Sequence, residues 1–231
     1  MTEQLRIQLW LERLQPFKYR LLLVSLLFLS ILSHAPKDFS LTKILHSIFL
    51  QVALVTCVIA VSQYRRLFWI SVGLAVIAFS DISLEYLDDD QRIHTSTLVM
   101  SSLFFGLLAV TFLYDVFKAT SITVDEICGA LCVYLMIGVI WSYFFAITLV
   151  FNPDAIAFPE TNSQDAHLAG TLTYFSFVTL TTLGYGDIQP VSSLMRTLCW
   201  LEAVIGQIYM TVLIARLVGL NLNARSKSTT E

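Results

Sequence analysis

A chain of 231 residues that is 56% hydrophobic and only 13% charged, with a mean hydropathy of +0.73, is too apolar to be a soluble domain. It reads as an all-α, multi-pass membrane protein, and the net charge of -3 adds nothing to that. Four cysteines, Cys57, Cys128, Cys132 and Cys199, fall in apolar stretches at no metal-ligand spacing, and buried cysteine usually packs as a small hydrophobe. No zinc pattern, phosphate loop or nucleophile motif is present, so neither an enzyme, a cofactor nor a nucleic-acid partner is expected.

Residues 1–18 form a cytoplasmic or interfacial segment in which Leu5, Leu9, Trp10, Leu14 and Phe17 share one helical face, away from Arg6 and Arg13. Six apolar segments of the ~20 residues that cross a bilayer follow at 17–33, 41–62, 67–86, 95–117, 124–151 and 193–220. The first is the shortest. Ser33, His34 and Ala35 resemble a signal-peptidase site, but Glu3 and Glu12 precede it and Pro36 follows it, so cleavage is not expected. Arg6, Arg13, Lys18, Arg20, Arg65, Arg66, Lys118, Arg216, Arg225 and Lys227 fall on one side of this layout, which makes both termini cytoplasmic. The opposite side carries Glu85, Asp88, Asp89, Asp90, Asp154, Glu160, Asp165 and Asp187, either a cation-attracting mouth or ordinary solvated loops.

From residue 119 onward the pattern changes. Thr123-Val124-Asp125-Glu126 is a capping box that starts span five, and Asn152-Pro153 ends it. Residues 154–168 are a polar outer loop, and 170–181 are apolar but too short to cross, which reads as a re-entrant helix buried by protein. The C-terminal end of that helix carries partial negative charge, suited to a cation. In span six, Gln207, Met210, Thr211, Ile214, Leu217 and Val218 share one helical face that either lines a cavity or packs. Glu202 lies ~15 Å along the same helix, where an acid costs ~2.5 to 3.5 kcal/mol and needs a partner; Ser176 and Thr179 are the candidates. Glu202 is then either a protonatable brace or one satisfied buried acid.

The run Val178-Thr179-Leu180-Thr181-Thr182-Leu183-Gly184-Tyr185-Gly186-Asp187-Ile188-Gln189-Pro190 resembles the potassium-channel family. Thr182-Leu183-Gly184-Tyr185-Gly186 is similar to that family's selectivity filter, Thr-Val-Gly-Tyr-Gly, with Val replaced by Leu. The resemblance is to compact prokaryotic channels with six spans and one re-entrant loop. It is specific over 120–220 and vague before that. It implies a homotetramer in the plasma membrane, surrounded by lipid, that passes K+ as permeant ion through backbone carbonyls of Thr182, Leu183, Gly184 and Tyr185 and the Thr182 hydroxyl. It places Tyr174 where relatives carry a Trp bonded to the Asp after the filter, so Tyr174 is expected to pair with Asp187. Phe175 and Val178 stand where relatives carry a second aromatic donor and a Glu. Gly206 falls at the spacing of the family's inner-helix bend, though close packing accounts for such a glycine equally well.

Under this resemblance residues 19–118 are a four-helix membrane domain like a voltage sensor without its arginines, 119–222 a pore domain and 223–231 a short tail. Residues 95–117 contain no Arg or Lys, so little gating charge can move, and Asp81 and Glu85 have no basic partner in span four. Eleven residues follow Leu220, which leaves no room for an appended ligand-binding domain in the chain as read. The expectation is a passive potassium-selective channel. A weakly selective cation channel and a non-conducting pore-like membrane subunit or sensor are the alternatives.

Overall fold

The computed structural model describes residues 18–32, 69–73, 91–118, 123–159 and 168–228. In chain order these give α1 (Lys18–Leu32), α2 (Gln91–Lys118), α3 (Val124–Phe151), a single 3-10 turn (Pro153–Ala155), β1 (Ile156–Ala157), α4 (Leu168–Leu180), β2 (Gln189–Pro190) and α5 (Ser193–Ser228). The spans expected at 41–62 and 67–86 lie outside the described residues, except for a helical stretch at 69–73. Asp81, Glu85 and Cys57 fall outside as well.

Among the described residues three helices are long and apolar enough to cross a membrane, over Leu98–Lys118, Val124–Phe151 and Ser193–Leu222. α1 is shorter, and α4 at 13 residues has the length of a re-entrant helix rather than of a span.

Local chemistry explains the ends of α3. The Thr123 hydroxyl accepts from the Glu126 amide at 3.2 Å while the Glu126 carboxylate accepts from the Thr123 amide at 2.7 Å, the reciprocal pair of a capping box. At the other end the Asn152 amide still reaches Thr148 O at 2.9 Å, and Pro153, with no amide hydrogen, cannot extend the ladder. Only residues 119–123 separate α2 from α3, so the two helices must turn back as antiparallel neighbours.

α3 is the spine. On one flank it meets α1 and α2 through a core built from Tyr19, Leu22, Phe104, Phe105, Leu108, Phe112, Val133 and Met136. Gly129 allows this approach: a Cβ there would lie 3.1 Å from the Tyr19 ring. The Tyr19 hydroxyl crosses to α2 and donates to Asp115 at 2.9 Å. On the other flank, Trp141, Phe145, Leu172, Phe175, Ile188 and Met195 join α3, α4 and the start of α5. A third cluster, Val116 with Ala130 and Leu213, ties the end of α2 to the inner half of α5, and Leu217 packs against it. Of the two readings of the face that Leu217 shares with Gln207, Thr211, Ile214 and Val218, packing holds for Leu217, and the other four are exposed within the single chain. Cys128, Cys132 and Cys199 are free thiols.

Candidate functional site

The site hangs from the C-terminal end of α4. Beyond Leu180 the helix does not simply stop: the Thr182 amide bonds Thr179 O at 2.9 Å, and the Leu183 and Gly184 amides both reach Val178 O, at 2.9 and 3.3 Å. These bonds hold an unusual backbone. Thr182, Gly184 and Gly186 have φ of +59°, +55° and +79°, and they are the only positive φ values among the described residues. Positive φ therefore falls on alternate residues, with Leu183 and Tyr185 between on the ordinary side. In a plain strand successive peptide groups face opposite ways, with a period of two residues. Alternating the sign of φ departs from that plain strand at every second residue. Glycine takes such conformations freely, whereas Thr182 is held in one by the bonds at the end of α4.

Residues 182–187 are all exposed within a single chain. Their outer end is braced twice. The Tyr174 hydroxyl donates to Asp187 Oδ2 at 2.8 Å, the pairing that the resemblance implies. The Gln189 side-chain amide donates to Gly186 O at 2.9 Å, a contact that no sequence pattern announces. Beyond it, β2 pairs antiparallel with β1, Ile156 opposite Pro190 and Ala157 opposite Gln189. The Val191 and Ser192 amides add bonds to Ala155 O at 2.8 and 3.2 Å, and Arg196 Nε donates to Pro190 O at 3.2 Å. The segment after the loop is thus anchored to the end of α3 and to the first turn of α5. The outer loop contains this pairing rather than being wholly irregular.

Phe175 is buried and points away from the loop into the α3 core, 5.1 Å from the Phe145 ring centroid. Val178 is buried too. Neither braces the exposed run through a polar group.

α5 packs behind the run. Glu202 is fully buried, and of its two predicted partners it meets Ser176: Ser176 Oγ lies 2.5 Å from Glu202 Oε1 and 2.7 Å from Gly138 O. Thr179 spends its hydroxyl on Phe175 O at 2.8 Å. One turn beyond Glu202, Gly206 is buried where a Cβ would lie 2.6 Å from Leu180 O, so close packing against the end of α4 accounts for this glycine, and α5 runs unbroken through it. Next to it Gln207 Nε2 reaches Thr182 Oγ1 at 3.5 Å. Gln207, Thr211 and Ile214 are exposed on α5, and Met210 is half-buried.

Among the described residues no cluster of His, Cys, Asp and Glu is disposed to hold a metal ion.

Comparison with known proteins places this geometry in a family context. Residues 122–221, which run from the cap of α3 through most of α5, match the family model described as an ion channel. No curated protein and no solved structure matches the chain. The matched stretch contains every candidate residue described above from Gly138 to Ile214, and it supports a passive ion channel embedded in a membrane through its apolar helices.

Proposed function

We propose that the chain is one subunit of a homotetrameric, potassium-selective channel, with Thr182, Leu183, Gly184, Tyr185 and Gly186 as its filter. The observation that carries this reading is the alternation of positive φ at Thr182, Gly184 and Gly186 within that run. A potassium ion leaves water only where oxygens replace its hydration shell, and stacked rings of carbonyls from four chains do so without a fixed charge. One chain contributes one such strand, so four surround the axis. The largely exposed apolar surface of α5 fits that assembly, because a single copy leaves Ile205, Ile208 and Val212 uncovered. Gln207, Met210, Thr211 and Ile214 then line the cavity below the filter, and Tyr174, Asp187 and Glu202 support it. In this reading the protein is a multi-pass protein of the cell membrane with both termini cytoplasmic. Strong voltage gating is not part of it, since 95–117 carry no basic residue to move in the field.

The test is ion flux from liposomes containing the purified protein. Potassium efflux well ahead of sodium efflux is expected, and equal rates contradict the selectivity.

The Tyr174 to Asp187 bond gives a second expected result. Tyr174→Phe keeps the ring and removes the donor, while the cavity is untouched. Because the bond is exposed, its worth stays at or below ~1.5 kcal/mol, the low end for hydrogen bonds to charged groups, which shifts the filter's open state by about tenfold at most. Single-channel recording should find shorter openings at near-parent unitary conductance. Parent-like open times would mean that Gln189 and the strand pairing hold the outer filter without it.

A further inference from the structure

Three oxygens behind the loop share too few protons if Glu202 is ionised. Ser176 Oγ sits within hydrogen-bond distance of both Glu202 Oε1, at 2.5 Å, and Gly138 O, at 2.7 Å. A serine hydroxyl carries one proton, and a carbonyl and a carboxylate carry none. An ionised Glu202 would therefore leave one of these two short contacts as a bare pair of acceptors. It would also leave Glu202 Oε2, which has no hydrogen-bond partner among the described residues, as a charged oxygen in a fully buried position. A single added proton resolves the count.

We propose that Glu202 stands as the neutral acid and donates from Oε1 to Ser176, whose hydroxyl donates in turn to Gly138 O. This chain pins α4 between α5 and α3 and makes the loop that α4 carries sensitive to alkali. The proposal rests on reading residues 182–186 as the ion filter, and it assigns to that site a proton-dependent support. The three helices meet tightly here. A Cβ on Gly138 would lie 2.7 Å from the Phe177 ring, and one on Gly206 would lie 2.6 Å from Leu180 O. α4 is thus seated by packing on either side of the hydrogen-bonded chain, and Val178 O in the same helix holds the Leu183 and Gly184 amides.

Loss of the proton to solvent changes the direction of the chain. The hydroxyl of Ser176 turns to the carboxylate, since a bond to a charged acceptor is roughly twice as strong as one to a neutral acceptor. Gly138 O then loses its side-chain donor, and this hydrogen bond from α4 to α3 is broken, which leaves the Tyr134 hydroxyl at 3.5 Å from Leu180 O and the shared core to hold the two helices. Around Glu202, α3 contributes the Tyr134 phenol and α5 the Cys199 thiol, neither of which carries positive charge in any protonation state. α4 offers Ser176 and no charged group. No basic side chain among these stands ready to stabilise the carboxylate. Glu202 acts here as a positioning residue: it reaches the filter through Ser176 and α4 and does not touch the ion path.

Infrared difference spectroscopy and potassium flux on the full-length protein in lipid vesicles test this together. The parent should show a protonated-carboxyl C=O band at neutral pH that is missing from Glu202→Gln and displaced in Ser176→Ala. Parent flux should fall about tenfold on the alkaline side, as expected for the loss of one hydrogen bond from a two-state support. Glu202→Gln, which keeps a neutral donor to Ser176, should hold its neutral-pH flux across the same range. A parent spectrum that matches Glu202→Gln in the carboxyl region overturns the proposal, as does an identical alkaline fall in both proteins. If Glu202→Gln fails to assemble, an unshifted band in Ser176→Ala overturns it equally. A band that behaves as expected in a protein with no flux at any pH supports the proton chain and overturns the ion-filter reading instead.

Discussion

In Gly186→Ala, potassium-selective flux is expected to fall at least tenfold while the helices stay folded. Gly186 sits at φ +79° with open space where a Cβ would go, so the penalty is conformational and not a clash. An L-residue in that region costs roughly 1–2 kcal/mol, and in the proposed tetramer the cost is met once per chain. The substituted alanine would relax toward negative φ and reorient its peptide group. The bond from the Gln189 side chain to the carbonyl at this position would be lost with it. Circular dichroism and the size of the detergent-solubilised assembly should match the parent, which separates a filter defect from misfolding. Parent-like selective flux in this variant would mean that the alternating backbone is not the conducting element.

Gly206→Ala should lower thermal stability, and here two accounts of one glycine predict opposite signs. If Gly206 is only a flexible point in α5, alanine gains ~1 kcal/mol of helix propensity and the melting temperature rises. The neighbouring atoms say otherwise. The new Cβ would lie 2.6 Å from Leu180 O and 2.8 Å from Leu180 Cδ1, and the first is backbone at the end of α4 that cannot rotate away. Overpacking of this kind costs ~1–3 kcal/mol, which outweighs the propensity gain over most of its range. α5 would be pushed off the helix that carries the proposed filter, so open probability should fall along with the melting temperature. A higher melting temperature would restore the hinge account.

What could be read from the residues alone was chemistry of short range. The capping box at Thr123 and the stop at Asn152 and Pro153 depend on neighbours within four residues, and α3 runs between them as read. α4 begins two residues before its expected start and ends one before its expected end, because the apolar run marks the helix but not its frayed turns. The pairing of Tyr174 with Asp187 came from the resemblance and not from the residues alone, and the bond is present at 2.8 Å. Contacts between distant segments were not legible. The pairing of Ile156 and Ala157 with Gln189 and Pro190 involves two residues on each side, too few for any alternation to register. Helical spacing put Leu217 on a face that could either line a cavity or pack, and only the cluster of Val116, Ala130 and Leu213 beside it shows that this residue packs. Ser176 was one of two hydroxyls at the right depth for Glu202; its second bond, to Gly138 O, needs α3 in place before it can be seen.

The central claim is that residues 182–186 pass potassium and reject sodium, and the reversal potential under bi-ionic conditions tests it most directly. The purified protein would be fused into a planar bilayer with potassium on one side and sodium on the other at equal concentration. A current that reverses far from zero, at a potential favouring potassium entry into the pore by at least tenfold, and that collapses toward zero selectivity in Gly186→Ala, is the expected result. A parent current reversing at zero would contradict the account.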